Sequence, residues 1–204
     1  MMELIQNYIS TLQLTMDKLP HQCITDAVAL LQQARARGSQ VFILGNGGSA
    51  STASHFACDL AKNTRQEGLP HFRVIGLTDN MAMFSALAND EGYENVFSEQ
   101  LTSLVRSGDI VIAISASGNS KNVIRAAEVA HRYEATVIGF TGFEGGRLAQ
   151  LADVNIHVNS TIIEHVEDIH LMLEHLIVKS IKDQDQTVPV PTAITQLPAK
   201  GFGD

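Results

Sequence analysis

Short apolar runs alternate with helical patterns along most of the chain. The runs read QVFILG, FRVIGL, DIVIAIS, ATVIGFT and ADVNIHV. Each is almost continuously hydrophobic, which is typical of strands buried on both faces of a parallel sheet. Helical periodicity begins between them near Ser49, Met81, Asn95, Asn119 and Gly145. The pattern therefore predicts an α/β fold, a three-layer αβα sandwich around a five-stranded parallel sheet.

Further helices are predicted at both ends of this alternating region. Two amphipathic stretches, Leu4–Leu19 and Thr25–Arg37, precede it, and Gly38 supplies a helix stop. A long helical pattern, Ile162–Ile181, follows the last strand. Residues 183–204 lose periodicity and contain three of the five prolines. We therefore expect a single domain over residues 1–182 and a flexible or surface-draped tail over residues 183–204.

Composition narrows the classes of protein that remain. The 204 residues are 45% hydrophobic, which suits one well-buried core. No apolar run is long enough to cross a bilayer, and the first residues lack the basic-then-apolar pattern of a secretion signal, so we expect a cytoplasmic protein without a membrane partner. The net charge of -8 argues against binding to nucleic acid, because phosphate-backbone binding needs a basic surface. An anionic ligand would have to be held by local geometry.

Two loops have the chemistry for such a ligand. The stretch GNGGS, from Gly45 to Ser49, follows the first strand with little side-chain bulk, so a ligand could approach the backbone closely. The stretch ISASGNSKN follows the third predicted strand, carries three serine hydroxyls, and places Asn119 to cap the next helix. Helix N-termini at the carboxyl ends of parallel strands commonly bind phosphate. Two such loops in one sheet favour a shared phosphate site.

A dinucleotide site is the alternative for the first loop. Gly45, Gly47 and Ala50 fit the pattern G-x-G-x-x-A after a strand, and Asp79 follows the next strand. A single match of this kind is weak evidence. The second, serine-rich loop has no role in a dinucleotide site, and Asp79 lies somewhat far from the glycines for the usual ribose contact.

Two helices present titratable faces. His55 and Asp59 are four residues apart and share one face of the helix after the first loop. On the last helix, Glu164, Glu167 and His175 lie opposite an apolar stripe. Such a face is usually exposed to solvent, and the residues alone do not indicate that the two helices meet.

The motifs resemble those of the SIS (sugar isomerase) domain family, and within it the phosphoheptose isomerases. GNGGSA, HFACDL, ANDEGYENVFSEQL, SASGNSKNVIRA, GFTGFEGG and VEDIHLMLEHL occur in the family's order and spacing over residues 3–182. The resemblance implies a flavodoxin-like fold and isomerisation of sedoheptulose 7-phosphate to a heptose 7-phosphate. It also implies zinc or another divalent metal, one per site, and a homotetramer with active sites near subunit interfaces.

The resemblance further implies roles for individual residues. Phosphate and sugar contacts fall on Asn46, Gly47, Gly48, Ser49, Asn89, Asp90, Ser115, Ala116, Ser117, Ser120 and Glu167. The metal set falls on His55, Asp59, Glu167 and His175. Asp59 is implied as the catalytic base and His175 as the catalytic acid.

The sequence departs from the family's pattern at three positions. Asp59 stands where the family has glutamate, Glu167 where it has glutamine, and Asn63 where it has arginine. Two imidazoles and two carboxylates still make a plausible tetrahedral zinc set. The family also includes sugar-phosphate sensors and a DnaA-binding regulator of replication initiation. In that regulator, the acidic and histidine catalytic positions are not kept. The presence of Asp59 and His175 favours an enzyme over these alternatives.

Overall fold

The computed structural model describes residues 1–187, which form a central parallel sheet between two layers of helices. The strands are β1 (Gln40–Gly45), β2 (Arg73–Gly76), β3 (Ile110–Ser115), β4 (Thr136–Thr141) and β5 (Val154–His157). The helices are α1 (Met2–Met16), α2 (His21–Arg37), α3 (Gly48–Lys62), α4 (Met81–Asp90), α5 (Ser98–Leu104), α6 (Lys121–Arg132), α7 (Gly146–Leu151) and α8 (Ile163–Thr187). No helix in residues 1–187 combines the length and apolar character needed to cross a membrane.

The strands are ordered β2-β1-β3-β4-β5, and every neighbouring pair is parallel. Alternate side chains of the strands enter two separate cores. Ile43 and Ile112 face the layer of α2, α3 and α8, whereas Leu44 and Ala113 face the layer of α5, α6 and α7. The predicted three-layer αβα sandwich is confirmed.

The strand order determines where a ligand can bind. The chain runs from β1 outward to β2 and then crosses back to β3 on the other side of β1. The connections after β1 and β3 therefore leave the sheet toward opposite faces, which opens a crevice between the carboxyl ends of these strands. Gly45 at the end of β1 is paired with Ile114, the residue before Ser115. The two loops singled out in the sequence are consequently neighbours.

Several predicted bounds are wrong. The second helix begins at His21 rather than Thr25, directly after Pro20. The helix predicted near Asn95 begins at Ser98, after a short 3-10 turn at Tyr93–Asn95. Asn119 does not cap α6, because its side-chain oxygen accepts a hydrogen bond from the backbone N–H of Arg147 at the start of α7. It thereby ties the serine-rich loop to the next connection.

The last helix extends past the predicted domain end at residue 182. It continues to Thr187, and its last turn is anchored where Asp185 accepts two hydrogen bonds from Arg35 on α2, at 2.7 and 2.5 Å. Both side chains are buried, and Arg35 also lies over the ring of Phe72 at 5.0 Å. A buried ion pair requires its partner, so the helix cannot end earlier without leaving Arg35 unpaired. Residues 188–204 of the predicted tail lie outside the described residues.

Candidate active site

The first loop brings the start of α3 against the end of β1. A Cβ on Gly45 would lie 2.7 Å from the carbonyl oxygen of Ser49, so only glycine permits this approach. Ser49 is buried in the first turn of α3. The N-terminus of a 15-residue helix is thus directed at the crevice between β1 and β3, where its unpaired N–H groups favour an anion.

The second loop completes a cavity of about 240 Å³ at the same place. Its lining includes Asn46, Ser49, Ile114, Ser115, Ala116, Ser117, Ser120, Phe143, Ile163 and Glu167. The hydroxyl of Ser115 donates a hydrogen bond to that of Ser120 at 3.4 Å. Eight of the predicted phosphate and sugar contacts belong to the two loops, and six of these eight line this cavity: Asn46, Ser49, Ser115, Ala116, Ser117 and Ser120.

Asn122 is a residue at the loops that the sequence analysis missed. It is buried in the first turn of α6, and its side-chain amide exchanges two 2.9 Å hydrogen bonds with Asn46. The hydroxyl of Tyr93 also donates to Asn46 at 2.9 Å. These bonds hold the first loop in position relative to the second. The signal available in the sequence was an asparagine one position inside the helix that follows the serine loop.

A second cavity of about 460 Å³ lies on the other side of Asn46 and is lined in part by Ser54, Thr78, Phe84 and Tyr93. Asp79, the residue that a dinucleotide site would direct at a ribose, instead accepts a 2.5 Å hydrogen bond from Ser54. Its engagement with α3 weakens the dinucleotide alternative.

Asn89 and Asp90 do not line either cavity. Both are exposed at the end of α4, and the Asn89 amide donates to the Asp90 carboxylate at 2.6 Å. Their predicted contact with the sugar chain stays a prediction.

The titratable faces of α3 and α8 meet. The rings of His55 and His175 are edge to face with centroids 4.9 Å apart, and His55 Nε2 lies 3.7 Å from Asp59 Oδ2. The fourth member of the cluster is Glu174, and ligand atoms of all four residues lie within 4.8 Å of one another. The structure therefore brings together three members of the predicted metal set.

Glu174, which the sequence analysis missed, forms the floor of this cluster. Its side chain is fully buried, and neither carboxylate oxygen has a hydrogen-bond partner within the described chain. Burial, reinforced by the nearby Asp59 carboxylate, raises the pKa of Glu174 from its ordinary 4.5 to about 7. The two histidines lie at the open side, with about half of each side chain exposed.

Glu167 is not part of the cluster. Its carboxylate lies against the start of α3, so closely that a Cβ on Gly48 would be 2.7 Å from one of its oxygens. It also lines the cavity of the serine loop. Glu167 thus lies at the serine-loop cavity and outside the cluster, and its predicted roles in binding substrate and metal both stay predictions.

Comparison with known proteins agrees with this arrangement. A model of the SIS domain family matches residues 6–142. The chain belongs to the SIS domain family. The phosphoheptose isomerase of Aquifex aeolicus is 37% identical over 162 residues, 79% of this chain and 84% of that protein. That of Aliarcobacter butzleri is 36% identical over 184 residues, 89% of this chain and 92% of that protein.

A solved structure extends the likeness to three dimensions. Phosphoheptose isomerase from Neisseria gonorrhoeae superimposes on this SIS domain with a TM-score of 0.82 at 29% identity, covering 89% of this chain and 98% of that chain. The family inferred from the motifs is confirmed.

The cluster in this SIS domain has the composition of a divalent-cation site. Two imidazoles and two carboxylates are ligands that zinc accepts in a tetrahedral arrangement. The buried carboxylate of Glu174 is the stronger indication. Neither of its oxygens has a hydrogen-bond partner within residues 1–187, and such a group is costly to bury unless a proton or a cation neutralises it. The residues present therefore fit a metal ion.

Proposed function

We propose that this SIS domain is a sugar-phosphate isomerase that converts sedoheptulose 7-phosphate into a heptose 7-phosphate. The observation that carries the proposal is the position of two chemically different sites on one helix. Ser49, at the serine-loop cavity, and His55, in the titratable cluster, are six residues apart on α3. This spacing corresponds to about 9 Å along the helix axis. A sugar phosphate can extend from one site to the other.

The serine loops would hold the phosphate. Hydroxyls of Ser115, Ser117 and Ser120 and the N-termini of α3 and α6 converge on the cavity. Binding the phosphate there is remote from the reacting carbons, so it orients the sugar without taking part in the chemistry. The carboxylate of Glu167, in the same cavity, is placed to accept hydrogen bonds from sugar hydroxyls.

The cluster would perform the proton transfers. Asp59 removes the proton from the carbon beside the carbonyl and returns it to the neighbouring carbon. His175 moves the proton between the two oxygens of the enediolate. A divalent cation, zinc in our proposal, would polarise these oxygens when bound at the cluster. Asp59 is mostly buried whereas His175 is about half exposed, so the acid can exchange its proton with solvent.

A double substitution in the serine loop tests the phosphate site. Ser117→Ala with Ser120→Ala removes two hydroxyls that would bond a charged group, each worth about 1.5 kcal/mol or more. We expect KM for sedoheptulose 7-phosphate to rise at least about tenfold, with the fold intact by circular dichroism. The matched control is Ser39→Ala with Ser103→Ala, at the amino ends of the strands and thus away from both loops. Wild-type kinetics in the Ser117 and Ser120 double variant would show that the phosphate lies elsewhere.

A substrate screen tests the reaction itself. Ketose phosphates of five, six and seven carbons would be assayed with metal-loaded and with chelated protein. We expect turnover of the seven-carbon substrate, and less after chelation. No turnover on any of the three would refute the isomerase proposal.

We also propose that the enzyme is a cytoplasmic homotetramer. Large apolar side chains are exposed on α1, including Leu4, Ile5 and Ile9, and on α4, including Met81 and Met83. Exposed apolar faces on two helices support burial against other subunits. Sedimentation equilibrium would measure the mass, and a monomer at micromolar concentration would contradict this part of the proposal.

A further inference from the structure

Glu174 belongs to the titratable cluster but has no part in the proton transfers proposed above, and its environment requires an explanation. Its side chain is fully buried at the contact of α3 with α8. Neither carboxylate oxygen accepts a hydrogen bond among residues 1–187, although His175 Nε2 lies 3.3 Å from Oε2. The charged or titratable groups that face it are His55 and Asp59 from α3 and its neighbour His175 on α8. The Asp59 carboxylate repels it. Among residues 1–187, the ion pairs of the structure give Glu174 one partner, the imidazole of His175.

The distances around Glu174 are close to those of a metal site. Tetrahedral zinc with nitrogen or oxygen ligands holds its donor atoms roughly 3.4 Å apart. Glu174 Oε2 lies 3.3 Å from His175 Nε2, and His55 Nε2 lies 3.7 Å from Asp59 Oδ2. All four donor atoms fall within 4.8 Å of one another, so small side-chain rotations would bring them around one ion.

We propose that Glu174 supplies the fourth ligand of the divalent cation, with His55, Asp59 and His175, and that Glu167 binds the sugar instead. The proposal rests on the cation site of the proposed function, although not on the identity of the substrate. It also accounts for the short carboxylate of Asp59. Asp59 is one methylene shorter than glutamate and extends less far from α3, and the longer side chain of Glu174 extends into the cluster from α8.

The two glutamates of α8 provide a matched pair for the test. Glu174→Gln and Glu167→Gln each remove one charge from the same helix with almost no change of shape. Zinc affinity of the metal-free, substrate-free full chain would be measured by competition with a chromogenic chelator. We expect Glu174→Gln to weaken zinc binding by about 100-fold or more, since loss of an outer-shell partner alone typically costs 10- to 100-fold. We expect Glu167→Gln to leave zinc affinity within about threefold of wild type.

A second measurement separates ligation from positioning of His175. Cobalt(II) would replace zinc as a probe, and its visible absorption reports the number and type of ligands. A direct ligand predicts a changed spectrum in Glu174→Gln and the wild-type spectrum in Glu167→Gln. Melting temperatures with and without zinc check folding, and we expect a smaller zinc-induced rise only in Glu174→Gln.

Three outcomes would overturn the inference. They are a wild-type chain that does not bind zinc, an unchanged zinc affinity or cobalt spectrum in Glu174→Gln, and a loss in Glu167→Gln as large as that in Glu174→Gln. Turnover is measured separately. Absence of isomerase activity with the expected zinc results would refute the proposed function and leave the ligand assignment standing.

Discussion

Acid should destabilise this protein through one buried histidine, His170. The side chain lies on α8 with 1% exposure, its Nε2 is 3.2 Å from the carbonyl oxygen of Thr141, and its Nδ1 has no partner within residues 1–187. Its ring packs edge to face on Phe140 with centroids 5.7 Å apart. Burial, with a smaller contribution from nearby His157, lowers the pKa of His170 from 6.5 to about 4.

The direction of the effect follows from proton uptake. The unfolded chain binds a proton at His170 below pH 6.5, whereas the folded chain does so only near pH 4. Stability from this group is therefore complete above pH 6.5 and is lost as the pH falls from 6.5 to 4. With these two pKa values, the loss between pH 8 and pH 5 is about 2 kcal/mol, and it levels off at about 3 kcal/mol.

The assay compares urea unfolding of metal-free protein at pH 8 and pH 5 in three chains. His170→Gln keeps an N–H that can reach Thr141 but cannot titrate. His21→Gln, at an exposed position, is the matched control. Between pH 8 and pH 5, we expect the free energy of unfolding of the wild type and of His21→Gln to fall by about 2 kcal/mol more than that of His170→Gln. Comparing differences cancels any constant cost of the substitution.

Glu174 makes the comparison with a variant necessary. Its raised pKa acts in the opposite direction, because the folded chain holds that proton more tightly than the unfolded chain. Stability from Glu174 is present below pH 4.5 and is lost as the pH rises to about 7. The wild-type curve alone therefore mixes two opposing effects. If His170→Gln retained the wild-type difference between pH 8 and pH 5, the reasoning about His170 would be refuted.

Three further substitutions test other parts of the molecule. Gly48→Ala places a methyl group against the carboxylate of Glu167, so we expect unfolding free energy to change by less than about 1 kcal/mol while KM rises severalfold. An unchanged KM would remove Glu167 from the substrate site. Asp59→Asn should lower kcat at least about 100-fold with an unchanged melting temperature, since it removes the proposed base, and wild-type kcat would exclude Asp59 from proton transfer. Asp185→Asn leaves the buried guanidinium of Arg35 poorly paired and should cost about 3 kcal/mol in urea unfolding. A loss under about 0.5 kcal/mol, the contribution of one exposed ion pair, would show that the pair does not anchor the end of α8.

Local patterns were sufficient for the architecture. The continuous apolar runs of β1, β3 and β4 identify strands buried on both faces, because a strand with one solvated face would alternate. The order of strands and helices along the chain then restricts the sheet to a parallel one. The two loops could be read in the same way, since their glycines and serines precede helices. Their spacing and order also identified the family.

The buried face of α8 is wider than the apolar stripe recognised in its sequence. The stripe from Val166 to Ile177 was recognised, but a second buried row runs beside it through His170 and Glu174 to Val178. These three residues are four apart, so the spacing contained a signal for the row. Neither His170 nor Glu174 was given a place on a buried face in the sequence analysis, since histidine and glutamate are usually solvated. The polarity of a single glutamate predicts exposure, so the burial of Glu174 could be inferred only from its spacing to His170 and Val178.

What the sequence by itself determined about this protein is its elements, its fold class, its two glycine- and serine-rich loops and its family, because these depend on patterns within one segment or on motif order. Only the tertiary structure decided that His55 meets His175, that Glu174 rather than Glu167 joins them, and that Asp185 anchors the end of α8 on Arg35. Each of these contacts joins helices far apart in the chain. Periodicity specifies which face of a helix is buried, but the order of the strands determines which helix lies opposite it.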